Sequence, residues 1–221
     1  MKSISAKRAI VAAALALLAG LLLSPRGTTH AQTANSVGGQ AFGTLVQTPT
    51  ALLGQSPLAT LPGPGMADAS AASVSLPGVL TANTLQSIAT GAVGENASSA
   101  QSSAVLSNVS ILNGLITANA VRGLASSASN GTTASSDGAG SGFAGLVVGG
   151  VAVGDSPAPN QQIALPGVGS VTLNEQSTRG DGRTSSGLTV NMIHVRLVNL
   201  LGAPAGDIIV GSAASDAAFV R

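Results

Sequence analysis

The sequence predicts an all-β protein, an antiparallel sandwich or flattened barrel behind an N-terminal signal helix, and three observations carry that reading. Apolar and polar residues alternate with period two in Ser170–Gln176, where Val171 and Leu173 interleave with Thr172 and Asn174. Pro-Gly, Asn-Gly and Gly-Asp-Gly turn signals separate runs of Val, Leu, Ile, Thr and Ala along the chain. Across Ala97–Ile111, where helix is the counter-reading, no apolar stripe recurs at i, i+3, i+4, i+7, and Ser and Asn interrupt the run. A β-solenoid is the alternative, because the chain also contains an internal repeat.

Met1–Ala31 reads as a secretory signal. Lys2, Lys7 and Arg8 precede the apolar run Ala9–Leu23, Pro25 and Gly27 break it, and Thr29 and Ala31 offer small residues at a cleavage site after Ala31. The run is shorter than the roughly 20 residues a bilayer-spanning helix needs. A retained signal-anchor is the other reading of the same residues. Residues 32–40 are expected to be a flexible lead-in, residues 41–213 one domain, and residues 214–221 a tail.

Composition narrows what that domain can be. Cys, Trp and Tyr are absent, and Phe occurs only at 42, 143 and 219, so the core has to be built from Val, Leu, Ile and Ala. Small side chains each bury little area, at roughly 25 cal/mol per Å². Stability must then come from many close contacts between sheets lined with Ala, Ser and Gly. Disulfides, thiolate nucleophiles and Cys-ligated metals are excluded. Lys2, Lys7, Arg8 and Arg26 all precede Ala31, which leaves five Arg against eight acids beyond it. No basic patch remains for nucleic acid or anionic lipid.

Within the domain, Ala41–Thr48 is a candidate first strand. Thr48–Ala72 is expected to turn repeatedly, with Pro49, Pro57, Pro62 and Pro64, and Leu61-Pro62-Gly63-Pro64-Gly65 argues against regular structure. Leu76–Ala89 then recurs as Leu112–Ala125, and Leu165-Pro166-Gly167-Val168 opens in the same way. Two equivalent hairpins plus a distant third explain this better than a solenoid, since stacking architectures need at least three units. Ala97–Ile111 should lead through Asn113-Gly114 into its hairpin partner. Ser126–Gly142 is expected to be an exposed loop, Phe143–Gly154 a return to strand, Asp155–Gln162 a turn, and Gly206–Ser212 a last strand. In Leu188–Val198 the apolar phase slips from Leu188, Val190 and Met192 to Ile193, Val195 and Leu197. That slip predicts a β-bulge or a strand covered on both faces.

The order Leu-Pro-Gly-Val-Gly before Val171–Gln176, then Leu188-Thr189-Val190-Asn191 with His194-Val195, then Gly206–Ala213, resembles the choice-of-anchor P family of bacterial surface proteins. Asn108-Val109-Ser110 with Gly114–Ala118 is similar to the family's middle section. The resemblance implies an envelope-exposed module whose biochemical role is uncharacterised, and it runs from about Ala41 to Ala213. This chain lacks a recognisable anchor at its end, so release or loose association is the expected fate.

Little in the sequence points to catalysis. His194 is the one His beyond Ala31, and it reads as a polar side chain on a sheet face, with Met192 and Arg196 as same-face neighbours and no partner nearby in sequence. The nucleophile-elbow, zinc-helix and phosphate-loop motifs are absent. Asp137, Asp155, Glu175, Asp181, Asp207 and Asp216 are scattered singly and match no calcium loop. Arg179-Gly180-Asp181 is an integrin-type tripeptide that reads as an ordinary turn, and the sequons at Asn96, Asn108 and Asn130 read as coincidental.

No catalytic, cofactor-binding or metal residue is therefore assigned. The expected function is a secreted, non-catalytic structural or adhesive module of a bacterial envelope. Its expected partners are envelope polymers or other surface proteins, with no nucleic acid, and with a membrane only through an uncleaved signal segment. The alternative is an envelope-glycan hydrolase whose carboxylates come from separate loops at about 5–5.5 or 6.5–9.5 Å. A sugar-binding module is disfavoured by the missing Trp and Tyr.

Overall fold

The computed structural model describes residues 35–221, so the signal segment, its helix and the cleavage position at Ala31 lie outside the described residues. Fourteen strands follow in order: β1 (Ser36–Gln47), β2 (Leu52–Leu61), β3 (Gly65–Leu76), β4 (Leu80–Val93), β5 (Ser98–Ile111), β6 (Ile116–Ser129), β7 (Ala134–Asp137), β8 (Gly142–Ala144), β9 (Val147–Val148), β10 (Val151–Ala152), β11 (Gln161–Leu165), β12 (Gly169–Gly180), β13 (Ser185–Val198) and β14 (Pro204–Ala218). They form two sheets, β11-β12-β13-β14-β1-β2 and β10-β9-β6-β5-β4-β3, with β7 and β8 also paired to β6. Every pairing is antiparallel, both sheets keep open edges, and β14 and β1 pack across β4, β5 and β6. This is a sandwich. A barrel would have no edge strands and a solenoid would stack parallel ones.

The repeated segments are equivalent hairpin turns. In each copy the fourth residue's N–H donates to the first residue's carbonyl: Val79 to Leu76 at 3.0 Å, Leu115 to Leu112 at 3.2 Å and Val168 to Leu165 at 2.9 Å. Gly78 and Gly167 supply the positive φ, 78° and 75°, that follows Pro in a type II turn, whereas Asn113 and Gly114 are both positive, as type I′ requires. Two copies start β4 and β6 in one sheet and the third starts β12 in the other.

Several boundaries differ from the sequence expectation, and the reason is shared. The segment expected to be a flexible lead-in enters β1 at Ser36, and the expected tail is the end of β14. Ser36–Gln40 pair with Ala214–Ala218, which also pair with Ser185–Thr189. The expected turn region holds β2 and β3, with Pro57 tolerated because β2 is an edge strand and Pro62–Pro64 confined to the crossing between sheets. The expected loop Ser126–Gly142 instead extends β6 to Ser129 and adds β7. These stretches are rich in Ala, Ser and Gly and have weak β propensity. They are strands because their backbone groups find partners on flanking strands.

The phase slip in β13 has a structural cause. Pairing on both sides of β13 keeps its register through Asn191–Ile193, so no extra residue is inserted into one strand alone. The slip is shared instead by a row across the whole sheet, through Asn174 (φ 48°), Met192, Gly211 (φ 70°) and Gly43. The second sheet is creased likewise, with positive φ at Thr84 and Asn108 and register shifts between β4 and β5. The two creases divide the core. Toward the repeated turns it is large and aliphatic, with Leu80, Ile111, Ile116, Leu173, Ile193 and Ile208 fully buried. Beyond the crease the buried face is mainly Ala41, Ala89, Ala100, Ala104, Ser87, Ser98, Ser102, Ala125, Ser127, Ala213, Ser215 and Ala217, with Val37, Leu188, Val190 and Phe219 among the larger residues.

Candidate functional site

The densest group of ionisable side chains lies on the outer face of β12, β13 and β14, and the crease assembles it. Counting by twos from Val171 and Leu173 would turn Glu175 inward, and counting from Met192 would bury His194. The slip at Asn174 and Met192 puts both on the outer face instead, next to Asp207 of β14. His194 Nδ1 meets Glu175 Oε2 at 2.7 Å and His194 Nε2 meets Asp207 Oδ1 at 2.9 Å. Both contacts are hydrogen bonds together only when both ring nitrogens carry hydrogen, which the imidazolium form supplies.

The network extends on both sides. Arg196 donates to Glu175 Oε1 and, at 3.0 Å, to Thr172 Oγ1. Asn191 Nδ2 donates to Glu175 Oε2 at 2.9 Å, and Ser212 Oγ donates to Asn191 Oδ1 at 2.8 Å. Burial pushes the Glu175 carboxyl upward, but the hydrogen bonds from Asn191, His194 and Arg196 outweigh it and hold the group below its usual value.

His194 therefore has partners that the sequence reading did not supply. Glu175 and Asp207, expected to be scattered acids, converge on it, and Met192 is fully buried rather than a same-face neighbour. The one sequence signal that could have located this group is the phase slip in Leu188–Val198, had it been extended to the neighbouring strands.

As built, the group clamps three strands. Both imidazole nitrogens are occupied, and none of the five principal cavities among the described residues is lined by His194, Glu175 or Asp207. No group of three His, Asp or Glu among the described residues is placed to hold a metal ion.

The remaining singled-out residues serve local structure. Arg179 of the Arg-Gly-Asp tripeptide is tied to Asp216 and to Thr189 Oγ1. Asp181 accepts from Thr184 Oγ1 at 2.7 Å and from the backbone N–H of Arg183, Thr184 and Ser185, which holds its carboxyl well below the usual range. Both charged ends of the tripeptide are thus engaged, Asp181 in closing the β12–β13 turn and Arg179 in tying β12 to β13 and β14. Asn130 similarly closes the β6–β7 turn by accepting from the backbone of Thr132 and Thr133 at 2.9 Å.

The five cavities have different surroundings. A groove of about 410 Å³ on the second sheet is lined by Thr90, Ser99, Gln101, Ser126, Ser135 and Asp137 among others, with Asp137 as its single carboxylate. A smaller one holds Arg179 and Asp216. The other three lie at the turn end and have no charged residue in their lining. Compared with family models, curated proteins and solved structures, the chain matches none.

Proposed function

We propose that this chain is an exported, non-catalytic module of a bacterial envelope with a structural or adhesive role, as its resemblance to the choice-of-anchor P family implies. The observation that carries the reading is how the charged groups on the β12–β14 face are used. Each of His194, Glu175, Asp207 and Arg196 is bonded to another strand, and the groove on the other sheet offers hydroxyl and amide groups with one carboxylate. Such a surface suits contact with a hydrated polymer or another surface protein more than glycosidic bond cleavage, which in the usual mechanism needs two carboxyl groups facing one substrate. Export fits the order of the chain as well. Cleavage after Ala31 would leave Gln32, Thr33 and Ala34 ahead of Asn35, whose side chain already accepts a hydrogen bond from Val220 N–H.

The test is exposure of the exported protein to isolated bacterial cell walls and to a glycan array, with release of soluble sugar assayed in parallel. Retention on the walls without release of sugar is the expected result. Turnover that disappears in Glu175→Gln or Asp137→Asn would replace this reading with the glycan hydrolase. Mass spectrometry of the exported material should give an N-terminus at Gln32, and an intact chain in the membrane fraction would mean a retained signal-anchor.

A further inference from the structure

The turn end of the sandwich is built unlike the rest of the surface. Six turns meet there: 48–51, 77–79, 112–115, 149–150, 166–168 and 199–203. None carries Asp, Glu, Lys, Arg or His. Leu200 and Leu201 stand side by side at 104% and 93% exposure, with Leu52 at 78% and Val151 at 67%. Between these projections run three cavities of about 370, 300 and 500 Å³, floored by residues such as Leu115, Val168, Val79 and Leu76. The opposite end holds Glu95, Arg183, Asp181 and Arg221.

We infer that this end dips into the surface of a lipid bilayer with zwitterionic headgroups. Three features select that occupant. A leucine pair projecting from the 199–203 turn, with Leu52 and Val151 at the starts of β2 and β10 and pits at the same end, matches a deformable medium rather than a second rigid protein surface. The side chains that project from it, Leu52, Val151, Leu200 and Leu201, include none of the Trp, Tyr or Arg anchors in which protein interfaces are enriched. The end lacks cations, and the residues beyond Ala31 carry five Arg against eight acids, so anionic headgroups gain nothing there. Burying exposed leucines in the headgroup–acyl boundary is favourable on apolar area alone. This contact is separate from any retained signal segment and goes beyond the envelope role proposed above.

The chain contains no Trp or Tyr, so one introduced Trp is a clean reporter that also isolates this end from the signal segment. The full chain carrying Leu201→Trp, and a second carrying Thr132→Trp at the opposite end, are mixed with phosphatidylcholine vesicles containing brominated acyl chains. Emission from position 201 should move to shorter wavelength and be quenched, while position 132 stays unchanged. Adding Leu200→Asp to the Leu201→Trp chain should weaken the response roughly tenfold or more. An unmoved reporter at 201, or a response that requires anionic lipid, would overturn the proposal. A shift that appears on raising protein concentration without vesicles would assign the end to a second copy of the chain instead.

Discussion

On either side of the crease the same two sheets are held together by different means. Toward the repeated turns, Leu, Ile and Val side chains fill the space between sheets and exclude water by volume. Beyond it, the sheets approach so closely that glycine and serine take over. A Cβ on Gly123 would sit 2.6 Å from the Gly211 carbonyl oxygen, and one on Gly39 would sit 2.6 Å from Ser102 Oγ. There the sheets are also joined by hydrogen bonds: Ser127 Oγ to Ser215 Oγ at 2.7 Å, Ser98 Oγ to the Ala218 carbonyl at 2.9 Å, and Ser87 Oγ to the Pro57 carbonyl at 2.9 Å. Close backbone approach leaves no room for apolar volume, and a hydroxyl buried at that distance must bond across the gap or cost free energy. A chain without Trp or Tyr can thus build a thin sandwich, provided that it changes cement halfway.

The largest expected effect breaks the aliphatic half. Ile193→Ala, at a fully buried position, should cost about 2–5 kcal/mol and lower the midpoint of denaturant unfolding accordingly. In the thin half the damaging change runs the other way, from small to large. Gly123→Val should cost about 1–3 kcal/mol or more, because the obstructing atom is backbone and cannot turn aside. If Gly123→Val were neutral, the two sheets would not be as close as the structure has them.

The clamp that straddles the crease is expected to respond to pH. Glu175 is held below its ordinary value, so its contribution is complete above that value and is lost as pH falls through the lowered one. Glu175→Gln should therefore lower stability at neutral pH by about 1–3 kcal/mol. It should also flatten the decline seen below about pH 4.5, which unfolding curves at several pH values would show.

The smallest effects separate two buried serines. Ser127→Ala removes a bond across the sheets and should cost about 1 kcal/mol. Ser102 Oγ is buried with no hydrogen-bond partner, so Ser102→Ala should be neutral or slightly stabilising. Equal losses at the two positions would mean that serine in this half acts through packing alone.

The sequence by itself determined the class and the punctuation. Period-two alternation in Ser170–Gln176 and the three Leu-x-Gly openings mark strands and hairpin turns because side-chain direction and turn φ are local properties of a few residues. The phase slip in Leu188–Val198 was legible for the same reason. Only the tertiary structure decided that Ser36–Gln40 and Ala214–Ala218 are strands, since their pairing partners lie far away in sequence. It also decided that His194 meets Glu175 and Asp207. That meeting depends on three strands slipping in the same row, and the phase of one strand carries no information about the register of its neighbours.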